Sequence, residues 1–288
     1  MPELPEVETM RRGIAPIAGA RIFDVERTPC RQKALPIVPR IDRLRRRAAG
    51  RVIREVGRVG KRVVLRLDSD DRLVFEPRMT GLVLLADPPN REHLRLRVQL
   101  TGAPVEEMLY WDRRGLGSVR LFSSAEFAVQ FGAANLGPDA LDVTPEVYQC
   151  QLGNSRRAIK VALLDQRAVA GIGNLYASEI LHVAGIHPAR QCDRMNRAQW
   201  EARAAATRHV LREAIRYEGS TWGDGTYRNA LNKKGGYQNH HRVYARAGAN
   251  CPTCRRGKIV RTVQAQRSTF NCSVCQRTGT TNRTLKAT

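Results

Sequence analysis

Four cysteines near the C-terminus constrain the fold of this chain more than any other feature. Cys251 and Cys254 lie in "CPTC", Cys272 and Cys275 lie in "CSVC", and 17 residues separate the two pairs. Two CxxC pairs at this spacing are typical of one tetrahedral zinc ion bound by four thiolates. No thioredoxin-like pattern surrounds either pair, so a set of redox dithiols is disfavoured. We predict a small C-terminal module held together by one structural Zn²⁺.

The chain also carries a large positive charge. Lysine and arginine number 49 against 27 acidic residues, which gives a formal net charge of +22. Residues 40–62 form a basic run, and no acidic residue follows Asp224. A surplus of this size favours a polyanionic partner such as nucleic acid. Because no apolar run of about 18 residues and no signal peptide is present, we expect a cytoplasmic protein with no membrane association.

The period of the apolar residues changes once along the chain. Short, partly alternating runs predict strands at 62–67, 73–75, 82–85, 93–100 and 118–122. Only alternate faces of these strands are apolar, so we predict two packed sheets or a barrel-like sandwich. From about Thr144 the period is helical, with a tight glycine turn in "QRAVAGIG" and a long helix over 198–219. The glycine-rich stretch 220–237 is predicted to be a long loop.

The first nine residues, "MPELPEVET", are consistent with an ordinary helix start. Pro5 suits the first turn of a helix, and Glu6 and Glu8 complement the positive end of the helix dipole. This interpretation accounts for Glu8. From these nine residues alone, an ordinary helix start is the favoured interpretation.

Several motifs in one order resemble the bacterial formamidopyrimidine-DNA glycosylases. The matching stretches are "PELPEVET", "GKR", "RMTG", "NLGPDAL", "AGIGNLYASEILHVAGIHP" and "AQRSTFNC". The resemblance implies an α+β multidomain protein with an N-terminal β-sandwich and helix, a helix-two-turn-helix domain and a C-terminal zinc-finger β-hairpin. The corresponding boundaries are 1–134 for the sandwich, 135–148 for a linker, 149–245 for the helical domain with a lesion-covering loop, and 246–288 for the zinc finger.

The same resemblance implies a bifunctional DNA glycosylase and AP lyase that removes oxidised purines by β,δ-elimination. Once Met1 is removed, Pro2 presents a secondary amine that attacks C1′ of the damaged nucleotide. An α-amine has a pKa of about 8, so roughly a tenth of it is free base at pH 7. Glu3 matches the residue that moves protons during opening of the sugar ring, and Glu6 matches a residue that faces the flipped nucleoside.

Further residues carry over to the binding of double-stranded DNA that contains oxidised bases. Lys61, Asn174 and Arg267 match phosphate contacts around the lesion, and Lys61 and Arg267 are assigned with Pro2, Glu3 and Glu6 to the catalytic set. The predicted DNA-binding set, which includes the residues that fill the hole left by the extruded base, is Asn174, Met79, Arg114, Leu116 and His93. We expect the protein to act as a monomer.

Two positions depart from the family pattern. Leu116 stands where a phenylalanine is usual, so an apolar plug remains but stacking on the neighbouring base is lost. Glu76 stands where a phosphate-contacting histidine is usual, and an acid there would repel the backbone unless Arg78 compensates. An endonuclease VIII-like enzyme for oxidised pyrimidines remains an alternative, as does a zinc-containing DNA-binding protein without catalytic activity.

Overall fold

The computed structural model describes residues 2–31, 33–221, 223 and 225–277, so the last eleven residues of the predicted zinc-finger segment lie outside it. Within these residues the α-helices are α1 (Leu4–Ile14), α2 (Ile41–Ala48), α3 (Ser124–Phe131), α4 (Pro145–Leu152), α5 (Ile159–Ala162), α6 (Asn174–Val183) and α7 (Arg197–Arg216). Short 3-10 helices cover Ala15–Ile17, Cys192–Arg194 and Tyr237–His240. Among the described helices, none has the length and apolar character needed to cross a bilayer.

Two sheets form the N-terminal part. The first has the antiparallel order β1-β7-β8-β6, with β1 (Arg21–Arg27), β6 (Gly81–Leu84), β7 (Leu94–Thr101) and β8 (Glu107–Asp112). The second has the order β2-β9-β5-β4-β3, with β2 (Ile37–Val38), β3 (Ile53–Val59), β4 (Arg62–Leu67), β5 (Arg72–Glu76) and β9 (Ser118–Phe122). Apolar side chains from both sheets form one core, as expected for a sandwich.

A separate core lies in the helical part, and a small third core surrounds a hairpin. The helical core joins side chains from α4, α5, α6 and α7. The hairpin pairs β10 (Ile259–Gln264) with β11 (Arg267–Cys272). Its core includes Cys251 and Cys272. The fold class predicted from the sequence is confirmed: a sandwich, a helical part and a cysteine-bearing hairpin follow one another along the chain.

Helix α1 belongs to both large cores. Val7, Met10 and Ile14 are buried in the sandwich core, whereas Leu4 is buried in the helical core. The helix begins with Pro5 in its first turn and Glu3 as its N-cap, as the sequence indicates. The start of the chain is therefore held at the junction between the two cores.

Helix α2 lies inside the basic run 40–62, where no helix is predicted from the sequence. Its buried residues are Leu44 and Ala48, with Ile41 packed at the edge of the sandwich core. The spacing i, i+3, i+7 is helical. The arginines between these residues obscure the pattern, although arginine itself favours helix.

The predicted loop 220–237 is anchored to the sandwich, apart from Trp222 and Asp224, which lie outside the described residues. Tyr227 and Ala230 are buried in the sandwich core. The amide of Leu85 donates to the carbonyl of Ala230 at 2.8 Å. The loop that leaves the helical core therefore returns to the sandwich.

Candidate active site

Glu3 lies where the two large cores meet. Its Oε2 accepts hydrogen bonds from the amides of Gly173 at 2.7 Å and Tyr176 at 3.4 Å, and its Oε1 accepts one from Leu175 at 3.0 Å. These amides at the N-terminus of α6 have no partner within the helix, so they are available to bind an anion such as the Glu3 carboxylate. A Cβ at residue 173 would lie 2.3 Å from the Glu3 carboxyl carbon. Glycine there allows the carboxylate to reach the helix, and Pro2, also buried, directly precedes it.

Glu6 connects three elements. Its Oε2 accepts from the amide of Glu3 at 2.9 Å, and its Oε1 accepts from the Tyr176 hydroxyl at 2.6 Å and the Ser220 amide at 2.8 Å. Glu6 as a whole is 2% exposed. Glu6 thus connects α1 to α6 and to the first residue of the 220–237 loop.

Lys61, in the turn between β3 and β4, lies close enough to Glu3 for the charge of each to affect the pKa of the other. Its Nζ donates to the carbonyl of Ile172 at 2.9 Å. Burial lowers the pKa of Lys61 and the charge of Glu3 opposes that shift. Burial raises the pKa of Glu3, with Lys61 opposing and Glu6 adding to the rise. Each partner is therefore closer to its neutral form than it would be in water, and Glu3 can carry a proton at a higher pH than an ordinary glutamate.

Asn174 and Arg267 lie on neighbouring elements. Arg267 is exposed at the start of β11, directly after a turn in which Ala265 and Gln266 have positive φ. Asn174, the first residue of α6, donates from Nδ2 to the carbonyl of Ser268 at 3.0 Å. This bond holds the tip of the hairpin against the N-terminus of α6. Arg267 lies close enough to Lys61 to lower the pKa of Lys61.

Lys160 lies beside Asn174 and Arg267, and sequence reasoning did not identify it as a site residue. It is fully buried, and its Nζ donates to Oδ1 of Asn174 at 2.5 Å. Burial, followed by the charge of Arg267, lowers the pKa of Lys160 to about 8. The signal in the sequence was a single lysine inside the apolar stretch "AIKVALL", which by itself indicates only a helix.

The residues predicted to fill the DNA stack lie on two other loops. Met79 is 38% exposed between β5 and β6, and Arg114 is exposed between β8 and β9 with the half-buried Leu116. The His93 ring packs edge-on against Trp111 at 5.5 Å. Among the described residues, no hydrogen bond or ion pair joins this group to the cluster around Glu3.

The unexpected Glu76 has cationic partners. Its Oε1 lies 2.9 Å from Nη2 of Arg62 and 3.8 Å from Nε of Arg78. The Ser118 hydroxyl also donates to its carboxylate, at 3.4 Å. Two arginines therefore compensate the negative charge, so Glu76 need not repel a phosphate as an isolated acid would.

The four cysteines of the C-terminal module converge on one point. The Sγ atoms of Cys251 and Cys275 are 3.7 Å apart, as are those of Cys254 and Cys272, and all four lie within 4.8 Å of one another. Four sulfurs at about 2.3 Å from one ion would be about 3.8 Å apart, whereas a disulfide needs about 2.05 Å. The cluster therefore fits a tetrahedral metal ion and not a pair of disulfides.

Comparisons with known proteins agree over nearly the whole chain. Residues 1–119 match the model of the formamidopyrimidine-DNA glycosylase N-terminal domain, and residues 136–225 match that of the formamidopyrimidine-DNA glycosylase H2TH domain. The formamidopyrimidine-DNA glycosylase of Chloroflexus aggregans is 38% identical, and the match covers 96% of this chain and 98% of the relative. That of Caulobacter vibrioides is 36% identical over 96% of this chain and 100% of the relative.

Solved structures of the Lactococcus lactis enzyme have the same fold. A complex of a variant with DNA containing Fapy-dG has a TM-score of 0.84 at 31% identity, covering 96% of this chain and 100% of that one. A complex with DNA containing an abasic site has a TM-score of 0.83 at 30% identity, covering 96% and 99%. A complex with DNA containing an oxidised pyrimidine has a TM-score of 0.82 at 30% identity, covering 96% and 100%.

Proposed function

The chain belongs to the formamidopyrimidine-DNA glycosylase family, and from this premise we propose that it excises 8-oxoguanine and formamidopyrimidines from duplex DNA and cleaves the strand. Membership makes it a DNA glycosylase of base excision repair, with AP lyase activity as the general property of the family. The observation that carries the proposal is the Glu3 carboxylate, which is buried beside Pro2, held by the N-terminus of α6 and influenced by the charge of Lys61. A DNA-binding protein without catalysis would not need this group.

We assign the nucleophile to the amine of Pro2 after removal of Met1, a residue that lies outside the described part of the chain. The Pro2 nitrogen donates its lone pair to C1′, the bond from C1′ to the base breaks, and the base leaves with that electron pair and takes up a proton. The nitrogen then loses its own proton. Covalent attack divides one difficult displacement into smaller steps.

Glu3 is assigned the proton transfers that follow. As the bond from C1′ to O4′ breaks, Glu3 gives its proton to O4′, and the nitrogen lone pair forms an iminium at C1′. Loss of the C2′ proton expels the 3′ phosphate, and a second elimination expels the 5′ phosphate. A carboxyl with a raised pKa suits this role because it holds a proton closer to neutral pH.

We propose that a positive surface receives the DNA backbone beside the nucleophile. The phosphates near the lesion would be contacted by Lys61, Arg267 and Asn174. The buried Lys160 would hold the Asn174 side chain in place through the hydrogen bond to its Oδ1. An exposed guanidinium can hold a phosphate through two hydrogen bonds, and the amides at a helix start attract anions. Glu6, bonded to the first residue of the 220–237 loop, would face the extruded nucleoside.

The residues that replace the extruded base are proposed to be Met79, Arg114 and Leu116, with His93 as a further DNA contact. Base extrusion is required because C1′ chemistry cannot proceed inside the stack. Apolar side chains that enter the stack compensate for part of the lost stacking energy. We also propose the domain division 1–134, 135–148, 149–245 and 246–288, and a monomer that acts on the DNA of a bacterial cytoplasm.

Zinc is the metal proposed for the cysteine cluster, because four thiolates in a tetrahedron are the ligand set that structural zinc prefers. Cys251, Cys254, Cys272 and Cys275 would hold it. Three backbone amides donate to sulfur: that of Gly257 to Cys254 and that of Cys275 to Cys272, each at 3.3 Å, and that of Val274 to Cys272 at 3.4 Å. The ion would fix the hairpin that carries Arg267.

Removing zinc by chelation should abolish specific DNA binding, with a loss of affinity of about 100-fold or more, because the hairpin loses its folding energy. Fluorescence anisotropy with a duplex containing an abasic-site analogue measures the affinity, and circular dichroism checks that the sandwich stays folded. Cys254→Ser should behave like the chelated protein. Cys150→Ser, which alters an exposed cysteine of α4, serves as the control. Undiminished affinity after verified metal removal would contradict the zinc proposal.

Borohydride trapping tests the proposed substrate class. The enzyme is incubated with duplexes that contain 8-oxoguanine, thymine glycol or no lesion, and borohydride reduces any iminium to a stable cross-link. We expect a strong cross-link to the 8-oxoguanine strand and none to undamaged DNA. A stronger cross-link to thymine glycol would favour the alternative of an endonuclease VIII-like enzyme for oxidised pyrimidines. This substrate class is included because a relative has been solved in complex with DNA that contains an oxidised pyrimidine.

A further inference from the structure

The proposed stack-filling residues lie on two separate loops, here called the wedge loops. The first is residues 77–80, which join β5 to β6 and carry Met79. The second is residues 113–117, which join β8 to β9 and carry Arg114 and Leu116. Each loop crosses from one sheet to the other, because β5 and β9 are paired in the second sheet and β6 and β8 are paired in the first. The strands therefore hold the ends of the two wedge loops side by side, while the position of the loop residues between these ends depends on other contacts.

A single buried carboxylate bonds to both wedge loops. Asp112, the last residue of β8, is fully buried. Its Oδ1 accepts from the Thr80 hydroxyl and, at 3.2 Å, from the Arg114 amide, while its Oδ2 accepts from the Gly117 amide at 2.8 Å. The Thr80 hydroxyl accepts in turn from the Arg114 amide at 3.0 Å. Asp112 and Thr80 thus form a bridge from the residue after Met79 to both ends of the second loop.

Close packing around this bridge leaves little room for independent movement of the loops. A Cβ at Gly117 would lie 2.0 Å from the Tyr110 hydroxyl, and one at Gly81 would lie 2.6 Å from the same oxygen. From the other side, Nε of the buried Arg95 donates to the carbonyl of Asp112 at 2.8 Å. The bridge therefore lies in a rigid setting, whereas the Met79 and Arg114 side chains extend into solvent.

We propose that Asp112 is a positioning residue for base extrusion, which holds the two wedge loops as one rigid body so that Met79, Arg114 and Leu116 enter the DNA stack together. This inference rests on the proposed function. A wedge that is already ordered pays no further ordering entropy when it inserts. Asp112 touches neither the sugar nor the leaving base in this role. Its effect is confined to steps that require a base to leave the stack.

The test compares two substrates of the full-length enzyme. A duplex with 8-oxoguanine requires extrusion of a stacked base, whereas a duplex with a preformed abasic site requires only strand cleavage. Asp112→Asn and Thr80→Val remove parts of the bridge. The loss of one hydrogen bond to a buried carboxylate lowers the equilibrium constant for the ordered wedge loops by roughly 10- to 100-fold. We therefore expect the single-turnover rate of 8-oxoguanine excision to fall by the same factor. Abasic-site cleavage should stay within about 3-fold of wild type.

Two further readouts separate positioning from general damage. Stopped-flow fluorescence of 2-aminopurine next to the lesion should show slower wedge insertion in Asp112→Asn, and Thr80→Ser, which keeps the hydroxyl, should restore the wild-type rate. Asp87→Asn, at an exposed carboxylate between β6 and β7, is the matched control. Equal losses on both substrates, or an unchanged insertion rate, would overturn the inference. Failure of the wild type to excise 8-oxoguanine would instead refute the proposed function, and the insertion rate would still test the bridge.

Discussion

Extending the chain at its N-terminus, so that Pro2 is enclosed in a peptide bond, is expected to lower 8-oxoguanine excision by at least about 10³-fold. An amide nitrogen has no basic lone pair and cannot attack C1′, whereas the free amine is partly unprotonated at neutral pH. Single-turnover assays and borohydride trapping measure the loss.

Two controls belong with this experiment. The same extension placed at the C-terminus should leave activity within about 2-fold of wild type. Pro2→Gly retains an α-amine with a similar pKa, so a cross-link should still form at residue 2, as mass spectrometry of the trapped peptide can show. We expect this cross-link to be weaker than that of the wild type. A full-strength cross-link from the N-terminally extended protein would show that Pro2 is not the nucleophile and would direct the search to Lys61 and Lys160.

Glu3→Gln should cause a comparable loss, of about 10³-fold in the single-turnover rate, because an amide cannot donate the proton that ring opening requires. The side chain keeps its shape and one acceptor oxygen, so binding to a duplex with an abasic-site analogue should change by less than about 10-fold. Glu8→Gln provides the matched control on the same helix. Glu8 pairs with Arg11, Arg12 and Arg58, and none of its hydrogen bonds reaches Glu3 or Lys61. Equal losses in both variants would contradict the assignment.

The raised pKa of Glu3 also predicts how the stability of this variant depends on pH. Burial raises the pKa of Glu3 above 4.5 in the folded protein. Below the pKa of the unfolded state, Glu3 is protonated in both the folded and the unfolded protein, so folding buries no charge. Above the pKa of the folded state, folding carries the full free-energy cost of burying the charged carboxylate. The wild type therefore loses stability in that window and Glu3→Gln does not. We expect the melting temperature of the variant, relative to wild type, to rise as the pH increases from the unfolded pKa of about 4.3 through the raised folded pKa.

Local patterns predicted much of this structure. Strands β4, β5, β6, β7 and β9 lie where short, partly alternating apolar runs predict them, and α7 lies where the spacing of Ala204, Thr207, Leu211 and Ile215 is helical. The four cysteines needed only their spacing. In each case the signal lies within one element or one short module, so neighbouring residues alone were enough to reveal it.

Features that depend on contacts between distant segments could not be predicted. Lys160 and Asn174 meet because α5 packs beside α6, and nothing in the sequence around Lys160 indicates a buried cation. Asp112 looks like the polar end of a strand until Thr80, 32 positions away, is placed beside it. The pairing of Glu76 with Arg62 likewise depends on the register of β4 and β5.

The carboxylate of Glu3 has consequences for the time at which the enzyme becomes active. Pro2 and Glu3 leave the ribosome first, but the amides that hold the carboxylate belong to residues 173–176, which are synthesised much later. With the roles proposed above for Pro2 and Glu3, a nascent sandwich has the amine of Pro2 but lacks an oriented acid. We therefore expect strand incision only after the helical core has folded and docked against the sandwich. A chain cleaved by proteolysis between the two cores should not incise DNA. Mixing the two fragments should restore incision only if they reassemble.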